Sequence, residues 1–295
     1  MNPADILRVN NLKQHFYINK NLTIRAVEDV TFHINQGEVF GLVGETGSGK
    51  STVARTIMGI NPATSGEVYF KGYKISEEKI YNQHKKDIHK NMQIIFQDSA
   101  AALNPRMTVE RIITEPLKVN RIISNKNELR DKLESLLLEV GLDSTYKTKY
   151  PAEISGGQRQ RVAIARCLST SPDLIIADEP IASLDVSIQA QIINLFQRLQ
   201  HEHKFSFLFI AHDLSIIKYI CDRVAVMLRG RFVEMAPTRE LFENPLHPYT
   251  RSLLSAIPVP DPLYEKNKIL LDYDVRSEQM GQKLIEASAG HYVLS

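Results

Sequence analysis

Stretches of apolar and polar positions succeed one another along the chain in two periods, and their order predicts the architecture. Residues Leu7 to Ile18 are rich in strand-forming side chains. Val30 to Ile34 alternates apolar and polar, the pattern of a half-buried strand, and ends in the turn Asn35-Gln36-Gly37. Val39-Phe40-Gly41-Leu42-Val43 is a continuous apolar run and reads as a buried strand, and Val53-Ala54-Arg55-Thr56-Ile57-Met58 reads as a helix. Gly66 to Phe70 predicts another strand, and Met92 to Phe96 a buried one. From Asp98 to Pro151 the strand signal fades. Thr108 to Leu117 and Asn127 to Val140 predict helices, the second carrying Leu129, Leu133, Leu136, Leu137 and Val140 at helical spacing with Gly141 at the stop. Leu174-Ile175-Ile176-Ala177 returns to a buried strand. Ser187 to Gln200 predicts an amphipathic helix with Ile188, Ile192, Leu195, Phe196 and Leu199 on one stripe. Strand Phe207 to Ile210, helix Leu214 to Ile220 and strand Val224 to Leu228 complete a βαβ series, which implies a mainly parallel sheet with helices on both faces. Prolines crowd the chain from Pro237 onward and predict an appended tail, helical near Tyr249 to Ala256.

Composition narrows the classes. The 36 basic and 34 acidic side chains nearly cancel, to +2, so charge gives no argument for nucleic acid, and none is expected as a partner. The short clusters His84-Lys85-Lys86 and Arg159-Gln160-Arg161 read as solvated faces. Two cysteines, Cys167 and Cys221, stand far apart, so neither a disulfide framework nor metal-ligand spacing follows, and a reduced compartment is expected. The start, Met1-Asn2-Pro3-Ala4-Asp5, lacks the basic and apolar regions of a signal peptide. The longest apolar run, Phe205 to Ala211, is strand-sized, so a role at a membrane would need other chains to hold this one there.

Chemistry concentrates at three places. Gly44-Glu45-Thr46-Gly47-Ser48-Gly49-Lys50-Ser51-Thr52 sits between the strand at Val39 and the helix at Val53, and strand, glycine loop, helix is the context of a phosphate-binding loop. Glycines let successive amides turn inward around an anion, and the helix start adds its positive dipole end. Lys50 offers a point charge for the β- and γ-phosphates, and the Ser51 hydroxyl a ligand for Mg²⁺. The second place is Asp178-Glu179, where an apolar strand delivers two carboxylates at its C-terminal end. The first acid could hold Mg²⁺ and the second polarise an attacking water; a strand-end acid pair can also serve as a simple cap. The third is Ser155-Gly156-Gly157-Gln158 ahead of the helix pattern Arg159 to Arg166. This is either a second anion-binding helix start or a glycine-rich N-cap with no ligand.

Taken together, Gly44 to Thr52, Ile154-Ser155-Gly156-Gly157-Gln158 and Leu174 to Glu179 resemble the Walker A, signature and Walker B motifs of ATP-binding-cassette ATPases, in the family's order and spacing, with Ile154 where the family usually has Leu. Gln97 is similar to the Q-loop glutamine, Ser183-Leu184-Asp185 to the D-loop, and His212 to the switch histidine. The resemblance implies an α/β fold: a RecA-like P-loop NTPase core with a mainly parallel sheet, an N-terminal antiparallel β part, a helical insertion and a C-terminal extension. It places a nucleotide-binding domain over residues 5–235, the insertion at about 98–156, and the extension over 236–295. It implies ATP and Mg²⁺ as cofactors. Lys50 and the loop amides from Gly44 to Thr52 would hold the phosphates, while Ser51, Gln97 and Asp178 would organise Mg²⁺. Glu179 would activate water, and His212 would contact the γ-phosphate. Ser155 and Gly157 would reach across a head-to-tail dimer to the other subunit's ATP, and Gly156, Gln158 and Asp185 would be further nucleotide-binding positions. Phe16 is similar to the aromatic that stacks on adenine, although Tyr17 is adjacent and Phe16 can equally be a packing residue.

Two stretches narrow the family further. Ser99-Ala100-Ala101-Ala102-Leu103-Asn104-Pro105-Arg106 and Leu246-His247-Pro248-Tyr249-Thr250-Arg251 resemble segments of oligopeptide and dipeptide importer ATPases, most closely the second, F-type ATPase subunit of Gram-positive oligopeptide permeases. The tail Ile257-Pro258-Val259-Pro260-Asp261-Pro262 and the ending Gly290-His291-Tyr292-Val293 look like that group too. Some members carry a cysteine cluster after the H-P-Y segment; this chain has no cysteine beyond Cys221, so no iron–sulfur cluster is expected. The resemblance implies work at the cytoplasmic face of the membrane with a paralogous second ATPase in a heterodimer, two membrane permease subunits and an extracytoplasmic peptide-binding protein. Another cargo (a dipeptide, a nickel chelate, haem), an exporter or a soluble non-transport ATPase of the superfamily are the rival readings. Asn125-Lys126-Asn127-Glu128 nearly matches a guanine-reading motif, but it has Glu where Asp is needed and opens a helix.

Overall fold

The computed structural model describes residues 5–19, 22–258, 268, 270–271, 273–274 and 283–295. The start Met1 to Ala4 and the proline-rich stretch Val259 to Pro262 lie outside the described residues. In chain order the strands are β1 (Asp5–Asn19), β2 (Leu22–Asn35), β3 (Val39–Val43), β4 (Ser65–Phe70), β5 (Tyr73–Lys74), β6 (Met92–Ile95), β7 (Leu174–Asp178), β8 (Ser206–Ala211), β9 (Arg223–Leu228), β10 (Arg231–Pro237), β11 (Leu284–Ser288) and β12 (His291–Leu294). The helices are α1 (Lys50–Ile57), α2 (Glu78–Asn91), α3 (Ser99–Ala102), α4 (Val109–Val119), α5 (Lys126–Glu139), α6 (Gly156–Leu168), α7 (Val186–His203), α8 (Leu214–Ile220), α9 (Thr238–Glu243) and α10 (Pro248–Ser255). Among the described residues no helix is long and apolar enough to cross a membrane.

The chain divides into two compact units. One comprises Met1–Arg8, His33–Glu38 and Tyr69–Leu208. Its strands β6 and β7 pair in parallel, Met92 opposite Leu174 through Ile95 opposite Ala177. Both are almost wholly buried, which is why they read as apolar runs rather than as alternation. Helices α4 and α5 begin within two residues of the predicted points because their caps are written locally. Thr108 Oγ1 accepts from the Arg111 amide and Asn125 Oδ1 from the Asn127 amide. Helix α4 runs on through Pro116 to Val119. Helix α2 has no counterpart in the sequence reading. Of its 14 residues only Ile88 is buried, so it carries no stripe for periodicity to detect.

The second unit comprises Val9–Phe32, Val39–Val68 and Phe209–Ser295. Within it the strand order is β11-β12-β10-β9-β3. Strand β3 runs parallel to β9, with Phe40 opposite Arg223 and Val43 opposite Val226. The pairings of β9 with β10, β10 with β12 and β11 with β12 are antiparallel. This sheet is therefore mixed. The base of β3 is fixed to the start of β9 by a reciprocal pair: the Val39 amide donates to Asp222 Oδ2, and the Asp222 amide donates to the Val39 carbonyl, both at 2.8 Å. Phe40 stacks on Phe32 at 5.1 Å between ring centroids, and Phe32 meets Phe232 at 5.6 Å. The C-terminal segment, expected as a partly helical tail, adds two strands to its predicted helix. Beside the β10–β12 ladder, one side chain gathers its parts. Glu234 on β10 is fully buried, and its carboxylate accepts from the amides of Leu246 and His247 and from Nε2 of the equally buried His291 on β12, at 2.8, 3.0 and 2.7 Å. Three donors on one carboxylate replace the water it has lost.

Two outcomes follow from this packing. His291→Ala leaves the Glu234 carboxylate short of one buried donor and should lower stability by roughly 3 kcal/mol, read as an earlier chemical-denaturation midpoint, with partial recovery in His291→Gln. An unmoved midpoint would remove the pair from the structural account. Cys167 and Cys221 are buried, and burial pushes the Cys167 thiol up to about 11 and the Cys221 thiol well above the usual value. A thiolate-selective reagent at neutral pH should therefore label both only after denaturation. Because the folded value of Cys167 is raised, its contribution to stability is complete below the usual 9.0 and is lost as pH climbs through about 11.

Candidate functional site

The phosphate-loop residues lie in the second unit, between β3 and α1. Buried β3 brings the chain out at Gly44, and Glu45, Thr46 and Gly47 form the exposed loop tip. Gly49 caps α1 at φ 109°, a conformation L side chains rarely adopt. A Cβ there would lie 2.2 Å from the Ala26 carbonyl oxygen, and one at Gly44 would lie 2.2 Å from that of Met227. Backbone thus presses on the loop from both flanks, and only glycine fits. The Gly230 amide donates to the Ser48 carbonyl at 2.8 Å and braces the loop further.

Lys50 opens α1 and is 3% exposed. Its ammonium donates to the carbonyls of Gly44 at 2.7 Å and Glu45 at 2.9 Å, so the loop curls around its own cation. Ser48 Oγ is buried and has no hydrogen-bond partner among the described residues. Ser51 and Thr52 follow in the first turn of α1, half-buried. A concave run of backbone, a buried cation and an unpaired hydroxyl fit a phosphate group. His212 stands exposed in the same unit, directly after β8. Phe16 lies half-buried on β1 beside Tyr17, which is 71% exposed.

The carboxylates and the serine-glycine helix start lie in the other unit. Strand β7 ends at Asp178, 1% exposed, and Glu179 follows at 8%. Glu179 has φ 47°, in the left-handed region. A non-glycine residue held there carries backbone strain of a kind that clusters at functional sites. The Gln97 side-chain amide, just past β6, donates to Glu179 Oε2 at 3.0 Å. Two residues 82 apart in sequence, both named from the sequence, are thereby joined.

At α6 the cap is reciprocal. Ser155 Oγ accepts from the Gln158 amide at 3.3 Å, and Gln158 Oε1 accepts from the Ser155 amide at 2.9 Å. Gln158 also donates to the Tyr146 hydroxyl at 2.7 Å, a partner 12 residues away that no local pattern marks. Gly157 has a packing reason as well, since a Cβ there would lie 2.7 Å from Ile188 Cγ2 on α7. The N-cap reading of this stretch is therefore realised within the chain, while Ser155 itself remains exposed. Asp185 is exposed at the N-cap of α7, and Val186 beside it is 81% exposed.

Residues 27–182 match the ABC transporter family, and residues 233–280 match the oligopeptide/dipeptide transporter C-terminal region. The chain is 50% identical, over 98% of its length and 95% of the relative's, to the oligopeptide transport ATP-binding protein OppF of Bacillus subtilis (strain 168). It is 48% identical, over 91% of its length and 88% of the relative's, to the oligopeptide transport ATP-binding protein AmiF of Streptococcus pneumoniae serotype 4. Among solved structures it resembles a dimeric ATP-binding cassette in a post-hydrolysis state bound to ADP and Pi, with a TM-score of 0.71 and 27% identity over 79% of this chain and 99% of that one. The fold is thus the α/β phosphate-loop fold of these cassettes, and the chain belongs to the ABC transporter family of ATPases.

Proposed function

We propose that this chain is the ATP-hydrolysing subunit that energises import of oligopeptides through a membrane ABC transporter. The observation that carries the cargo is the likeness, at 50% identity and nearly full length, to a relative named for oligopeptide transport. The match of residues 233–280 to an oligopeptide/dipeptide transporter region supports it. On this reading residues 5–235 are the cassette, with its insertion at about 98–156, and residues 236–295 are the extension.

The roles follow from the chemistry of each group. Lys50 and the amides from Gly44 to Thr52 hold the phosphates, supported by the buried ammonium and the close-packed glycine loop. Ser51, Gln97 and Asp178 hold Mg²⁺. Glu179 takes the proton of the attacking water, and the Gln97 amide bonded to Oε2 orients the carboxylate for it. His212 contacts the γ-phosphate. Phe16 stacks on adenine. Ser155 and Gly157 serve the nucleotide of a second subunit, a role supported by the exposure of Ser155, and Gly156, Gln158 and Asp185 are further nucleotide-binding positions. Bound MgATP supplies the phosphoanhydride and the charge-neutralising cation. The partners proposed are a paralogous ATPase, two permease subunits and an extracytoplasmic peptide-binding protein, with this chain on the cytoplasmic face. Joining of the two ATPases around nucleotide and release after hydrolysis would bias the permease pair between two states.

Two measurements test the reading. Cells lacking this chain should fail to take up labelled tri- to hexapeptides, and the wild-type chain but not Lys50→Ala should restore uptake. Persistent uptake would shift the cargo to another class, with dipeptides next. In the assembled transporter Glu179→Gln should bind ATP and lose about 10²–10⁴ in hydrolysis rate. An unchanged rate would take the general-base role from Glu179.

A further inference from the structure

The H-P-Y segment of the C-terminal extension touches the phosphate loop. Tyr249, in the first turn of α10, is 1% exposed. Its hydroxyl oxygen accepts the backbone N–H of Glu45 at 3.2 Å, across 204 residues of sequence. That N–H belongs to the Gly44–Glu45 peptide, and the carbonyl of the same peptide accepts the Lys50 ammonium at 2.7 Å. One rigid peptide plane therefore links tyrosine to lysine. An acceptor on its N–H side fixes its orientation and polarises its carbonyl toward the cation. Tyr249 is itself held on every side. His247 Nδ1 accepts the Tyr249 amide at 3.1 Å, the His247 amide donates to buried Glu234, and Glu234 binds His291 on β12. The ring of Tyr273 lies 5.4 Å from that of Tyr249 and 5.9 Å from that of His247. Burial pushes the Tyr249 phenol up to about 12, so the hydroxyl keeps its proton throughout the neutral range.

We propose that Tyr249 is a positioning residue for the phosphate loop, through which the C-terminal extension and the nucleotide-binding loop are energetically coupled. The inference rests on the nucleotide-binding reading above and adds to it a route that the Walker, signature and switch motifs do not contain. Nothing covalent is involved. The extension sets the plane of the Gly44–Glu45 peptide, that plane sets where Lys50 waits, and nucleotide must draw Lys50 from that place. By reciprocity, nucleotide at the loop must change the stability of α10 by the same factor.

The test uses the full-length chain and a fluorescent N-methylanthraniloyl ATP. Tyr249→Phe keeps the ring and removes only the hydroxyl that accepts the Glu45 N–H, and it should raise Kd about three- to tenfold relative to wild type. Tyr273→Phe, which removes a hydroxyl from the neighbouring ring, should stay within about twofold. Amide exchange supplies the second readout. In wild type, nucleotide should slow exchange in α10 as well as in α1; in Tyr249→Phe the α10 protection should vanish while that of α1 remains. Equal affinities in Tyr249→Phe and wild type, or wild-type α10 exchange indifferent to nucleotide, would overturn the coupling and leave the ATPase reading intact. A wild-type chain that binds no nucleotide would overturn both.

Discussion

A cation with 3% of its surface exposed is tolerable only where fixed dipoles replace the water it has lost, and Lys50 meets that condition with two carbonyls of its own loop. Much of the surrounding structure serves this arrangement. Buried β3 has to end at Gly44, α1 has to begin at Lys50, and the backbone between them has to turn in a space closed by the carbonyls of Ala26 and Met227. Anchoring β3 at its other end to Asp222 fixes where the turn begins. A phosphate that enters such a loop finds the cation gathered at the site, and it takes over from the two carbonyls that hold Lys50 there.

The second unit also shows how a short C-terminal segment can be held firmly without a large core of its own. One buried carboxylate, Glu234, gathers two backbone amides and a histidine. It thereby joins β10, the turn into α10 and β12. Loss of any one donor would leave a charge in a place that water cannot reach, which makes this small network more demanding than an apolar contact of the same size. The tyrosine that contacts the phosphate loop stands two residues beyond His247 in this network.

In the other unit the hydrogen bond between Gln97 and Glu179 joins the end of β6 to the residue after β7. The two strands are parallel neighbours, so their C-terminal ends lie side by side. Topology alone thus brings together a glutamine and a carboxylate that are 82 residues apart. Glu179 itself takes a left-handed backbone, a strained conformation of the kind found at functional sites.

The local pattern determined much of the molecule: the buried runs of β3 and β7, the capped starts of α4 and α5, the stripe of α7 and the glycine loop are each written within a dozen residues, where periodicity and capping act. Motif order carried the family, because phosphate chemistry needs those residue types at those spacings. Tertiary structure decided the rest. Helix α2 was invisible because it buries one residue, and β11 and β12 because β11 is mostly exposed, β12 mostly half-buried, and their pairing is set by a distant strand. Whether Ser155 caps its own helix, which ring Tyr249 meets and which amide it accepts depend on distances between segments far apart in sequence. Those distances are fixed by packing, and no local period records them.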